Sequence, residues 1–105
     1  MKTLFEYVNS TENSCGNKSA LLNRFIAYGD KKFQISINFP GQWKEARALV
    51  SVMTLDGDFT GIEEAEDIGI ILPEPMSFFK RSKPKQREEL YRIAGEFESF
   101  IEKVY

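Results

Sequence analysis

At 105 residues, with 42% hydrophobic and 29% charged residues, the chain has the size and composition of one globular domain spanning 1–105, which excludes disorder throughout. Its formal net charge is −2, it contains no histidine, and it has one cysteine. Those absences remove the usual general base at neutral pH, the Ser-His and Cys-His pairings, nearly every zinc site and any internal disulfide.

The opening residues, MKTLFEYVNSTENS, hold no apolar run long enough for a signal peptide, and no stretch of the chain is suited to span a bilayer. A soluble cytoplasmic protein is the expectation. Thr3 and Glu6 have the spacing of a capping box and predict a short helix carrying Leu4, Phe5 and Val8. A polar loop follows from Asn9 to Lys18. Leu21, Leu22, Phe25, Ile26 and Tyr28 cover one broad face of a second helix, with Gly29 at its C-cap. The same residues also suit the first arm of a hairpin turning at Gly29-Asp30; the helix is the preferred reading.

From Phe33 to Phe39, apolar and polar residues alternate, which predicts a strand with one buried face, ended by Pro40-Gly41. Val50 and Val52 on one side, with Leu49, Met53 and Leu55 on the other, predict a central strand. Asp56-Gly57 is a turn signal after which Phe59 begins a returning strand. The apolar run 68–72 has strand length and is closed by Pro73 and Pro75. After Pro84, the residues Leu90, Ile93, Ala94, Phe97, Phe100, Ile101 and Val104 recur at three and four, the stripe of a long amphipathic helix. The fold class is therefore α+β: a small antiparallel sheet of about four strands, packed by the C-terminal helix and one or two N-terminal helices.

The candidate functional segment is DGDFTGIEEAED, residues 56–67, with six carboxylates in twelve positions. Asp56, Asp58, Thr60, Gly61, Glu64 and Asp67 fall at positions 1, 3, 5, 6, 9 and 12 of a calcium loop. Against calcium, Asp67 is one methylene short of the bidentate Glu that position 12 requires, and strands instead of helices flank the segment. The distribution of charge says more. No Lys or Arg occurs from Ala48 to Phe79, while Lys80, Arg81, Lys83, Lys85 and Arg87 follow with no acid among them. Self-repulsion makes such clustering costly, and a clustered acidic surface steers a basic partner. Partner recognition by Asp56, Asp58, Glu63, Glu64, Glu66 and Asp67, with Trp43 as an anchor, is the favoured reading. Nucleic-acid binding by residues 80–87, with Phe78 and Phe79 stacking on bases, is the alternative, and calcium binding ranks below it.

The acidic run Asp56–Asp67 and the missing catalytic side chains resemble small bacterial immunity proteins, which neutralise a co-encoded toxin such as a contact-dependent growth-inhibition toxin. The resemblance implies a non-enzymatic, cofactor-free cytoplasmic inhibitor that binds a basic toxin, for instance a nuclease, one to one and occludes its active site. It is a resemblance of size, charge and missing parts, so no family residue carries over.

Overall fold

The computed structural model describes residues 1–12, 14–41 and 45–105. Five strands form one antiparallel sheet in chain order: β1 (Lys2–Glu12), β2 (Lys18–Tyr28), β3 (Lys31–Phe39), β4 (Arg47–Thr54) and β5 (Phe59–Glu64). A 3-10 turn (Glu66–Ile68), a short helix α1 (Pro75–Phe79) and the long helix α2 (Lys83–Val104) complete the described chain. The α+β class, the antiparallel sheet and the C-terminal helix are as the sequence predicts.

Three expectations are corrected. No helix forms at the N-terminus: residues 2–12 and 18–28 are the two arms of a hairpin, so the sheet has five strands. The reason lies in β2. Ala20, Leu22, Ile26 and Tyr28 point to the core side, while Leu21 and Phe25 lie on the opposite face. With apolar residues on both faces, and Arg24 interrupting the inner one, the segment loses its period of two and imitates a helix. The turn at Gly29-Asp30 joins β2 to β3, and Gly29 sits at φ +63°, a conformation that glycine adopts without strain. Residues 68–72 are not a strand: Ala65 donates to the Ala48 carbonyl, the chain turns, and Ile70 donates back to Ala65. Their apolar character serves burial of Ile70 against the core, without a ladder.

The registers place Thr3, Ile26, Phe33, Val52 and Gly61 in one row across the inner face, and Glu6, Arg24, Ile35, Val50 and Glu63 in the next. α2 lies over the inner face of β1, β2 and β3. Its first turn holds Pro84, which needs no amide partner there. Leu90, Ile93, Ala94, Phe97 and Ile101 are fully buried against the sheet, while Phe100 is half-buried and Val104 exposed. The other end of the inner face is covered by Phe78, whose ring stacks on Phe39 at 4.0 Å. Two layers result, consistent with the 21 Å thickness of the molecule.

Polar groups on the inner side are paired. Arg24, its side chain 13% exposed, donates through Nε to Glu6 at 2.8 Å and through Nη1 to Glu98 of α2 at 3.0 Å, with the Tyr91 ring nearby. Ser10 donates to Gln86 Oε1 at 2.6 Å, and Gln86 Nε2 donates to the Arg81 carbonyl at 2.8 Å. These bonds fix where α2 sits on β1 and β2, and no buried side-chain polar atom among the described residues lacks a partner.

Gly41 is required for a different reason than Gly29. A Cβ there would lie 2.2 Å from the Lys18 carbonyl oxygen, so the chain after β3 passes too close to β2 for any side chain. Urea unfolding of Phe97→Ala should show a loss of about 3–5 kcal/mol from the vacated core. Gly41→Ala should lose about 1–3 kcal/mol through the forced backbone shift. A neutral Gly41→Ala would show that the close approach does not constrain the fold.

Candidate functional site

The acidic segment is not one loop. Residues 59–64 are the edge strand β5, which at about 3.3 Å per residue separates the two ends of the segment by roughly 20 Å. Asp56 and Asp58 lie in the β4–β5 turn, where Gly57 donates to the Thr54 carbonyl and the Asp58 amide to Thr54 Oγ1. Glu63 and Glu64 lie on the strand, in register with Val50 and Leu49, and so face opposite sides of the sheet. Glu66 and Asp67 lie in the 3-10 turn beyond it. Thr60 and Gly61, the matches to calcium-loop positions 5 and 6, are strand residues. Among the described residues no three carboxylates converge on one point. Tertiary pairing of β5 with β4 has straightened a spacing that would need to curl.

At the Glu64 end the carboxylates border a groove of about 840 Å³. Glu45, Glu64, Glu66 and Asp67 stand around it, and Ala48, Ala65 and Ile70 supply apolar lining. Among the described residues Arg47 is its one lining cation; it pairs with Glu64 at 2.6 Å, and that hydrogen bond raises the guanidinium pKa further. Ile71, 81% exposed, stands at the rim. The arrangement suits a long basic side chain, with its methylenes on the apolar lining and its charge among the carboxylates. Trp43, the predicted anchor, lies outside the described residues.

The basic segment comes out differently from its sequence reading. Phe78 is fully buried, stacked on Phe39, and Phe79 is half-buried against it, edge-on at 5.0 Å, so the pair is no open platform for bases. Arg81 is tied to Glu89 at 3.2 Å and to Gln86 through its carbonyl. Lys80, Lys83, Lys85 and Arg87 remain exposed near the start of α2. Sequence reasoning missed Arg24 and Gln86 altogether, because their partners lie 74 and 76 residues away.

No protein-family model matches the chain, and neither the curated proteins nor the solved structures contain a match to it. Among the described residues, no helix is long and apolar enough to cross a membrane. What the structure defines is an α+β sheet-and-helix module with an acidic groove at one sheet edge.

Two outcomes follow from these contacts. Millimolar calcium should leave the melting temperature unchanged, since 56–67 offers no converging ligand set. Glu89 accepts hydrogen bonds from Arg92 and has Arg81 beside it, and its carboxyl is held below the ordinary 4.5 despite opposing desolvation. Its folded pKa is the lower one, so its stabilisation is present above about pH 4.5 and fades as pH falls through the folded value. Glu89→Gln should melt lower than wild type at pH 7, and thermal melts should show the gap closing on acidification.

Proposed function

We propose that the chain is a non-catalytic binding protein of the immunity or inhibitor type, acting in the cytoplasm by one-to-one occlusion of a basic toxin's active site, a nuclease being the best fit. The observation that carries this reading is the groove beside β5. There Glu64, Glu66 and Asp67, with Glu45, border apolar lining beside the edge strand β5, and Glu63 stands on the other face of that strand. A nuclease active site must hold phosphates, so it presents Arg and Lys; an acidic ridge competes for those same side chains. Asp56 and Asp58, at the far end of the strand, extend the negative field along that edge and add to long-range attraction.

The chemistry of the chain supports a binding role over a catalytic one. With no histidine, no nucleophile has the common partner that activates it. The nucleic-acid alternative is weakened by the burial of Phe78, which leaves residues 80–87 with charge but no stacking pair.

The test uses wild type and a Glu63→Lys, Glu66→Lys, Asp67→Lys variant as baits in lysate of the source organism. Wild type should retain one stoichiometric basic protein that the variant loses. With the purified pair, association measured by stopped flow should slow by about tenfold or more in the variant and lose most of its salt dependence. Equal association rates for the two forms would remove the acidic edge from the mechanism, and nucleic acid on both baits would favour residues 80–87.

A further inference from the structure

The two charged runs of the sequence come together again in the fold, at one end of the sheet. Ser10, Ala20 and Phe39 mark that end on β1 to β3, and Arg47 and Glu64 mark it on β4 and β5. On the β5 flank, Glu45, Glu66 and Asp67 are exposed around the groove, where Arg47 offsets Glu64. On the β1 flank, the bond from Ser10 to Gln86 seats the start of α2, and Lys18, Arg81 and Lys83 border a smaller cleft. Lys80, Lys83 and Lys85 are exposed there, Lys18 offsets its register neighbour Glu12, and Arg81 is held by Glu89. The free amides of the first turn of α2 add to this positive field. Four strand spacings of about 4.8 Å put the two flanks roughly 19 Å apart. Between them α1 crosses the end. Its Met76 is 75% exposed, beside a cleft of about 310 Å³ bordered by Gly16, Lys18, Gly41, Pro75 and Phe79.

A positive flank, an apolar centre and a negative flank make a surface complementary to itself. We propose that a second copy of the chain binds this end, sheet end to sheet end, about a two-fold axis normal to the sheet. The proposal does not rest on the toxin reading. The second copy and a basic partner would, however, exclude one another, because both cover the groove.

Symmetry selects that axis. A half-turn about the sheet normal keeps the helices of both copies on one side and sets each β1 flank against the other copy's β5 flank. Lys80 and Lys83 of each copy then face Glu66 and Asp67 of the other, so the contact forms twice. Met76, beside the end of the central strand β3, lies near the axis, where each copy brings one methionine and one cleft. A half-turn about the line across the strands sets β1 against β1 instead, cation against cation. The same pattern separates a second copy from other occupants. A basic protein satisfies the groove alone, and an acidic one the start of α2 alone; a second copy covers both flanks and Met76 together. Size sets the strength. The two shorter dimensions of the molecule, 25 and 21 Å, bound the end at about 500 Å². Two copies therefore bury on the order of 1,000 Å², the small and transient class of interface, and its charged flanks make it sensitive to salt.

Sedimentation velocity of the purified full chain, with no other protein present, reads the equilibrium. At about 20 mM salt wild type should pass from monomer to dimer as concentration rises, and about 500 mM salt should raise the dissociation constant at least tenfold. Glu66→Lys with Asp67→Lys should leave a monomer, and so should Lys80→Glu with Lys83→Glu in a separate variant. Mixed in equal amounts, the two variants should form a heterodimer within about threefold of wild-type affinity, since both contacts are then opposite in sign. That recovery needs both chains folded, so misfolding cannot imitate it. A monomer at every concentration overturns the proposal, as does a dimer that neither pair of reversals weakens. A mixture that fails to dimerise overturns the flank-to-flank arrangement, and assemblies that grow beyond the dimer overturn the two-fold. None of these results decides whether a basic partner binds, which the baits read separately.

Discussion

One helix must close one face of a five-stranded sheet, and the rest of the structure follows from that constraint. A lone antiparallel sheet has no core; it gains one only when an apolar stripe is laid across it. Here the stripe is Leu90, Ile93, Ala94, Phe97 and Ile101, and it rests on β1 to β3. A helix about 10 Å wide cannot reach β4 and β5 as well. That shortfall explains why the chain between β5 and α2 is so apolar: Ala65, Ile70 and Phe78 complete the cover where α2 ends. It also explains why the groove lies at the β5 edge, where this thinner covering meets the sheet.

The polar contacts on the inner face serve placement more than net stability. Arg24 occupies a row otherwise held by Ile35 and Val50, and an apolar residue there could be equally stable. What an apolar residue could not do is choose a position along the helix. Arg24 with Glu98, and Gln86 with Ser10, hold α2 at two points near its ends, which prevents a slide of one turn along the apolar stripe. Specificity of docking is the contribution of these groups.

How much of this was legible in the sequence depended on range. β3 and α2 could be read because each has a single clean period, two or near 3.6, and one buried face. β5 could be read from its turn. β1 could not, and β2 only as the second choice of a hairpin arm turning at Gly29-Asp30, since Phe5, Tyr7, Leu21 and Phe25 put apolar surface on the face away from the core. The very residues that made the open face also hid the strands that carry it. The charge of the candidate site was visible, but its geometry was not: a run of carboxylates that looked like one loop is divided by strand pairing into a hairpin tip and an edge groove. Residues 78 and 79 failed in the opposite sense, as rings that looked available beside cations, where Phe78 is core and Phe79 is half-buried against it.

The order of elements along the chain has a consequence for how the protein is made. Every strand precedes the helix that covers it, and neighbouring strands are neighbours in sequence, so the meander can pair as it emerges from the ribosome. Until residues 90–101 follow, however, both faces of that sheet are bare, including Phe33, Ile35, Ile37 and Phe39. A message cut short, or a pause before the last quarter of the chain, leaves a two-faced apolar sheet that chaperones and proteases read as damage. The helix thus acts as a check on synthesis of the sheet before it: only a chain translated through residues 90–101 can hide that core.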